Sequence, residues 1–505
     1  MPTSTSFPAF SSTRRRFVTV GAATLLTAAV GKVPAFAQTP EAASSPSALM
    51  NDGFLTEDSV HTVDVTFDQD DYDDMIQTYK NDGDKAWIKA TVTIDGDAYE
   101  EAGMRLKGNS SLMGLQGGNG MGGGMRGMSG GASVDTPNLL PWLIRLDKYD
   151  KEQSHEGMTR LVIRSNSSET SLNEAVALDL LDAAGLASQR AAYTRFTVNG
   201  SDAALRLGVE LPDDKAWVNR HFSGDGLLYK AESTGDYSYR GDDPESYIDV
   251  FDLEVGGSGD ANDDFAPLIS FLDFINNSGD EAFASELPER LDTDAFATYL
   301  AMMDLIQNSD DISGPGNNSY LYVDLESDRF TVVPWDMNLA FNGMFMAGGG
   351  MRGGGMTPPA NDDFPFDPMD PDATPDAAIM PSFPDSQGFP FGTPDADQAR
   401  RDQEFPSGTP VADQGGPGGM PNMRGGGGMQ RSNPLVERYN AVDTFATALK
   451  DRTAELRDEL YTGGVASDIL AHWVQVLQDG ASDLVSSDTV TSESERISGV
   501  FTSAS

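Results

Sequence analysis

Residues 308–341 read NSDDISGPGNNSYLYVDLESDRFTVVPWDMNLAF. The stretch opens on a carboxylate-bearing loop, residues 308–318, in which Gly314, Pro315 and Gly316 stop the preceding helical pattern. Two runs that alternate apolar and polar residues follow, 320–324 and 329–335, with a short polar turn between them, which is the pattern of a β-hairpin. Each strand advances about 3.3 Å per residue and the two directions cancel, so a hairpin returns the chain to its start. Asp310 or Asp311, Asn318, and Asp336 just past the second strand are thereby predicted to converge. Two acids and an amide at strand ends suit magnesium-dependent phosphoryl transfer. One carboxylate accepts the proton of the attacking hydroxyl, while the amide oxygen and the second carboxylate hold metal against the phosphates. A surface hairpin in a very acidic chain accounts for the same residues.

The chain of 505 residues has room for two or three domains, or for one large domain with insertions. Its 34 Lys and Arg against 79 Asp and Glu give a formal charge of -45. That balance excludes nucleic acid as a partner, because binding it requires basic side chains to neutralise phosphates. Such acidity suits a protein kept soluble in salt, or one that gathers divalent cations, calcium included. The absence of cysteine excludes disulfides, thiolate metal sites and cysteine nucleophiles together. His61, His155, His221 and His472 stand in no nucleophile-elbow context, so a serine hydrolase has no support.

The first 37 residues read as an address. Thr13-Arg14-Arg15-Arg16-Phe17-Val18 has the twin-arginine pattern, followed by an apolar run over 18–30 and Ala35-Phe36-Ala37 as a cleavage signal. The run is shorter than the ~20 residues that span a bilayer, so cleavage is predicted to leave no transmembrane anchor. The expected location is exported: extracellular, cell surface or periplasm.

Beyond a linker over 38–59, residues 61–67, 87–94, 102–107, 140–146 and 159–164 read as strands, with a helix over 70–81. Residues 114–133 form a Gly/Met-rich insertion without packing potential. Ser171 with Glu174 three residues on makes a capping box for a helix ending near Ala184 before Gly185. Residues 193–198 and 205–211 form a hairpin through Asn199-Gly200, then come a short helix over 213–222 and a strand over 227–230. From Ser246 the period turns helical, over 265–276, 281–287 and 294–307, the last capped by Asp292. Residues 343–431 are low in complexity and read as a disordered insertion. Helical pattern returns over 434–460 and 466–478, and the Ser/Thr-rich end from 482 reads as a tail. Strands first and helices after is α+β, with a site in the cleft between two lobes.

Several motifs in order carry a resemblance to a known family: MRLKGNSS at 104–111, LPWLIRLDKY at 140–149, SLNEAVALDLL at 171–181, FTVNG at 196–200, GVE at 208–210 and LLYK at 227–230, then the hairpin stretch. The chain resembles the spore coat protein H (CotH-type) kinases over 60–342 and the C-terminal helices of 432–481. The resemblance implies a two-lobed atypical protein-kinase-like fold that binds ATP with magnesium. It also implies phosphorylation of serine on protein substrates of a coat, surface or secretion, with autophosphorylation as one form. Asp310 then matches the catalytic acid, with Asp311 as its rival, and Asn318 and Asp336 match metal ligands. Asn109 and Ser110 fall where the first-lobe loop approaches nucleotide, Arg145 where the family often has a phosphate-contacting lysine, and Glu210 where a glutamate could orient that cation. Two departures stand out: Arg145 replaces lysine, and Asn338, a third candidate metal ligand with Asn318 and Asp336, replaces a second acid. They make the alternative a catalytically inactive member, an acidic surface or matrix protein binding divalent cations.

Overall fold

In a computed structural model, seven strands close into a barrel in the order β1-β2-β3-β4-β5-β7-β6. The structure describes residues 53–55, 59–108, 111–112, 115, 133–232, 236–313, 318–341 and 433–503. The expected signal segment, nearly all of the 114–133 insertion, the 343–431 insertion, Asn109 and Ser110 lie outside the described residues. All described residues belong to one unit, Asn51–Ser505.

The barrel strands are β1 (His61–Phe67), β2 (Ile88–Ile94), β3 (Asp97–Leu106), β4 (Trp142–Arg145), β5 (Arg160–Ile163), β6 (Ala191–Val198) and β7 (Ala204–Glu210). Every pairing is antiparallel except β1 with β6, which closes the barrel in parallel. Strand alternation sends Val63, Val65, Met104, Leu106, Trp142, Ile144, Leu161, Ile163 and Phe196 inward, and α1 (Gln69–Asp82) plugs the cluster with Tyr72, Met75, Ile76 and Tyr79. Asp68 accepts the Asp70 N–H to start α1, and Gly83 at φ 77° ends it, a left-handed stop that suits glycine.

A second sheet, ordered β11-β10-β8-β9, comprises β8 (Gly226–Ala231), β9 (Phe251–Val255), β10 (Ser319–Asp324) and β11 (Arg329–Pro334). The helices α2 (Leu172–Ala183), α3 (Lys215–His221), α4 (Ala261–Asn277), α5 (Asp280–Arg290), α6 (Thr293–Leu305), α7 (Pro434–Ala441), α8 (Asp443–Leu456), α9 (Val465–Gly480) and α10 (Ser487–Ser503) complete the fold. Most bury apolar faces in one large cluster with the outer faces of β6 and β7. A third cluster joins the barrel's outer face, through Leu143 and Val162, to Leu228, Tyr320, Val333 and Trp335 of the second sheet and its edge. β4 and β5 are therefore apolar on both faces, like strands covered on both sides. The chain is α+β, sheet-rich toward its N-terminus and helical toward its C-terminus.

Three expectations need correction. The region from Ser246 is not purely helical, since Phe251–Val255 pairs with β8 as β9. Ser171 does cap α2 in sequence, but at φ 56° its side chain makes no capping bond, and Glu174 turns to a buried partner. The Ser/Thr-rich end is no tail: Ser487–Ser503 is a helix that buries Val490, Ile497, Val500 and Phe501.

Candidate active site

The expected hairpin is β10 and β11, paired in register from Ser319 opposite Pro334 to Asp324 opposite Arg329. This register sets the residues before Ser319 beside those after Pro334. Asn318 donates from Nδ2 to the Asp310 carbonyl at 3.0 Å. The Asp310 carboxyl is raised above the usual carboxylate range, by burial first and then by the charge of Asp336, against a hydrogen bond from Asn318. Asp310, Asn318 and Asp336 therefore share one site. Asp311 turns the other way. It is buried and accepts the Ser313 N–H at 2.8 Å, closing its own turn.

The backbone around these residues is held in an uncommon conformation. Gln307, Asn318, Asp336 and Phe341 have φ of 53°, 56°, 62° and 58°. Such left-handed residues, apart from glycine, are few in folded chains and gather where surrounding structure over-determines them. Here the over-determination is visible. The Asn338 carbonyl accepts from Ser167 Oγ at 2.8 Å and from Asn173 Nδ2 at 2.7 Å, and the Phe341 N–H donates to the Ile306 carbonyl at 2.7 Å. Asn338 itself lies one turn past Asp336, in the short helical turn Met337–Leu339.

The side chain in contact with Asp336 is one that sequence reasoning passed over. Arg164, just past β5, donates from Nη2 to Asp336 Oδ1 and from Nε to Glu174 Oε2, the latter at 3.0 Å. Its guanidinium lies 5.9 Å from the Trp335 ring centre. Burial works against the charge on Arg164, but Asp336 and Glu174 outweigh it and raise its pKa. Glu174 is pushed up to about 7 by burial first, with Arg164 opposing and Asp336 adding to the rise. A signal was present in the sequence: Glu174 stands among Leu172, Ala175, Val176, Ala177 and Leu178 near the start of a mostly apolar helix, and an acid buried there needs a partner.

The remaining predicted residues lie apart. Arg145 sits opposite Arg160 in the sheet, four residues and so about 13 Å along β5 from Arg164, and its Nε donates to Asp147 at 2.8 Å. Glu210 does not orient Arg145. It pairs with Arg190 at 3.1 Å and with Arg220 at 2.5 Å. Lys107, whose N–H bonds the Pro141 carbonyl, is the barrel cation at the same strand end as Arg164. It is half-buried, and its pKa falls to about 8 through burial, then through Lys230 and Arg105, against the pull of Asp213 and Glu254. Two surface hollows, one edged by Asp263, Phe271 and Arg290 and the other by His221, Tyr322 and Arg329, touch none of these acids.

Among the described residues, no three His, Asp or Glu side chains gather closely enough to hold a metal unaided. Two acids close enough to feel each other's charge, with the Asn318 amide bonded to one of them, still fit magnesium, which takes one or two carboxylates and completes its shell with water and phosphate oxygens. A cation bound beside Asp310 would offset the charge of Asp336 that helps hold the Asp310 carboxyl up.

Residues 128–380, half of the chain, match the family described as CotH kinase protein. The chain belongs to the CotH kinase family. The matched span holds Arg164, Glu174, Asp310, Asn318 and Asp336, and it leaves β1 to β3 and the helices from α7 onward outside. The inner spore coat protein H of Bacillus subtilis (strain 168) is 27% identical over 165 residues, which is 32% of this chain and 44% of that relative. The chain thus spans less than half the length of this CotH relative. No helix among the described residues is long and apolar enough to cross a membrane.

Proposed function

We propose that this CotH-family chain is an atypical protein kinase that transfers the γ-phosphate of ATP to serine hydroxyls of protein substrates, with magnesium. The observation that carries the reading is the meeting of Asp310, Asn318 and Asp336 at the base of the β10–β11 hairpin, beside the buried Arg164–Glu174 pair. In this reading the barrel forms one lobe and the second sheet with its helices forms the other, and the site opens between them.

Asp310 takes the proton of the attacking serine. Its raised pKa makes it a stronger base than an ordinary aspartate, nearer to the pH at which it works. Asp336 and Asn318 would hold magnesium, which when bound neutralises charge on the phosphate oxygens. Lys107 approaches the phosphates from the barrel side in place of Arg145, whose guanidinium is committed to Asp147. Asn109 and Ser110 follow Lys107 with only Gly108 between and are proposed to contact nucleotide with it. An export signal over residues 1–37 would let the kinase act on substrates before or after export to a coat or cell surface, and the Bacillus relative is named for a spore coat.

The test is incubation of the purified protein with γ-labelled ATP and magnesium, wild type beside Asp336→Ala. Label on serine in the wild type, lost in the variant, is the expected result. Label on neither would overturn the kinase reading and leave an acidic cation-binding member of the family.

A further inference from the structure

Arg164 contacts two acids that differ in one respect. Glu174 is enclosed, with 4% of its side chain exposed, whereas Asp336 has 27% exposed and reaches solvent. Removing one partner from an enclosed ion pair is costly because it strands a buried charge. Separating Arg164 from Asp336 strands nothing, since Arg164 keeps Glu174 and Asp336 reaches solvent. The contact is therefore built to open on one side only.

We propose that Arg164 is a resident counter-ion that closes the Asp336 carboxylate to a bare divalent cation and releases it when nucleotide phosphates arrive to receive the guanidinium. The inference rests on the kinase reading and adds to it a coupling between metal and nucleotide. Three features of the site support it. Arg164 occupies Asp336 Oδ1, the more exposed of its two acid partners. A guanidinium there repels a dication approaching the same carboxylate. The planar guanidinium also matches phosphate oxygens with paired hydrogen bonds, so a phosphate group replaces what Asp336 supplied. Arg164 is thus a positioning residue that sets the order of binding.

The experiment titrates Mn2+ into the full chain without nucleotide and counts free Mn2+ by electron paramagnetic resonance. Asp336→Asn serves to identify the site, and calorimetry with a non-hydrolysable ATP analogue and Mg2+ runs in parallel. Wild type is expected to show no Asp336-dependent Mn2+ binding below millimolar concentration. Arg164→Gln is expected to gain such binding at least tenfold while losing affinity for the ATP analogue, and Arg164→Lys, which keeps the charge, to exclude Mn2+ as wild type does. Tight, Asp336-dependent Mn2+ binding by nucleotide-free wild type would overturn the inference, and this arm stands even where a variant fails to fold. If the analogue binds but Mn2+ also binds alone, only the coupling fails. If wild type binds no analogue with Mg2+, the kinase reading fails, and the inference falls with it.

Discussion

Asp310 and Asp311 are neighbours in sequence and part company in space, which makes them a sharp pair of probes. Asp310 faces Asp336 and Asn318, whereas Asp311 caps the Ser313 N–H. Asp310→Asn is expected to cut phosphoryl transfer by about 10²–10⁴-fold, the usual worth of a positioned base, with stability near wild type. Asp311→Asn is expected to leave more activity but cost about 1–3 kcal/mol in urea unfolding, through a weakened bond to a charged acceptor. Equal loss of activity in both would contradict the assignment. A second probe is His221, whose ring packs 4.6 Å from Trp217 and accepts from Arg220 Nη2 at 3.2 Å through Nε2, so it is neutral. Burial, and then Arg220, lowers its pKa to about 4. A histidine depressed in the folded state favours the unfolded chain once that chain binds a proton. Its contribution is full above about pH 6.5 and is lost as pH falls toward about 4. The difference between wild type and His221→Gln unfolding free energies is expected to shrink over that window. After allowance for the solvent reaching a half-buried ring, the change is about 1–2 kcal/mol; a flat difference would contradict the placement.

Elements show why some features could be read from sequence and others could not. The hairpin carried its own evidence, because alternation over 320–324 and 329–335 needs only a two-residue period, and pairing register then fixed which ends meet. The partners Arg164 and Glu174 lie only ten residues apart, yet their meeting depends on β5 ending where α2 begins, a tertiary fact. The S-x-x-E spacing offered a local explanation for Glu174 that the backbone at Ser171 does not use. Arg145 was placed by motif position, and only the register with Arg160 sets it at the far end of the strand. In α10 the Ser/Thr-rich composition hid an apolar face of Val490, Ile497, Val500 and Phe501, spaced as a helix requires. That helix reaches the site. Glu493 accepts from the Glu169 N–H at 3.0 Å, from Ser168 Oγ at 2.8 Å and from Thr170 Oγ1, and so pins the loop between Arg164 and Glu174. Glu493→Ala is expected to destabilise the chain by about 1–3 kcal/mol and to speed amide exchange over 167–171. Unchanged exchange there would show the helix to be a bystander.

At the scale of the molecule, the barrel and the second sheet share a cluster of Leu143, Val162, Leu228, Tyr320, Val333 and Trp335, and the charged residues line the same interface. Polar chemistry sits there because the end of β5 delivers Arg164 from the barrel to Asp336 past the hairpin, which lies close to Asp310 and Asn318. The α+β class was legible from the order of periodicities. Closure of the barrel was not, because the parallel pairing of β1 with β6 joins strands more than a hundred residues apart. The formal charge of -45 says little about this arrangement, which turns on Arg164 paired with Asp336 and Glu174 and on Asp310 near Asp336, not on the sum. The most direct measurement is a crystal structure of the protein soaked with magnesium and a non-hydrolysable ATP analogue. The account predicts a metal about 2.0–2.1 Å from an Asp336 carboxylate oxygen and from the Asn318 amide oxygen, with the γ-phosphate facing Asp310. Nucleotide bound elsewhere, or a metal that leaves Asp336 paired only with Arg164, would contradict it.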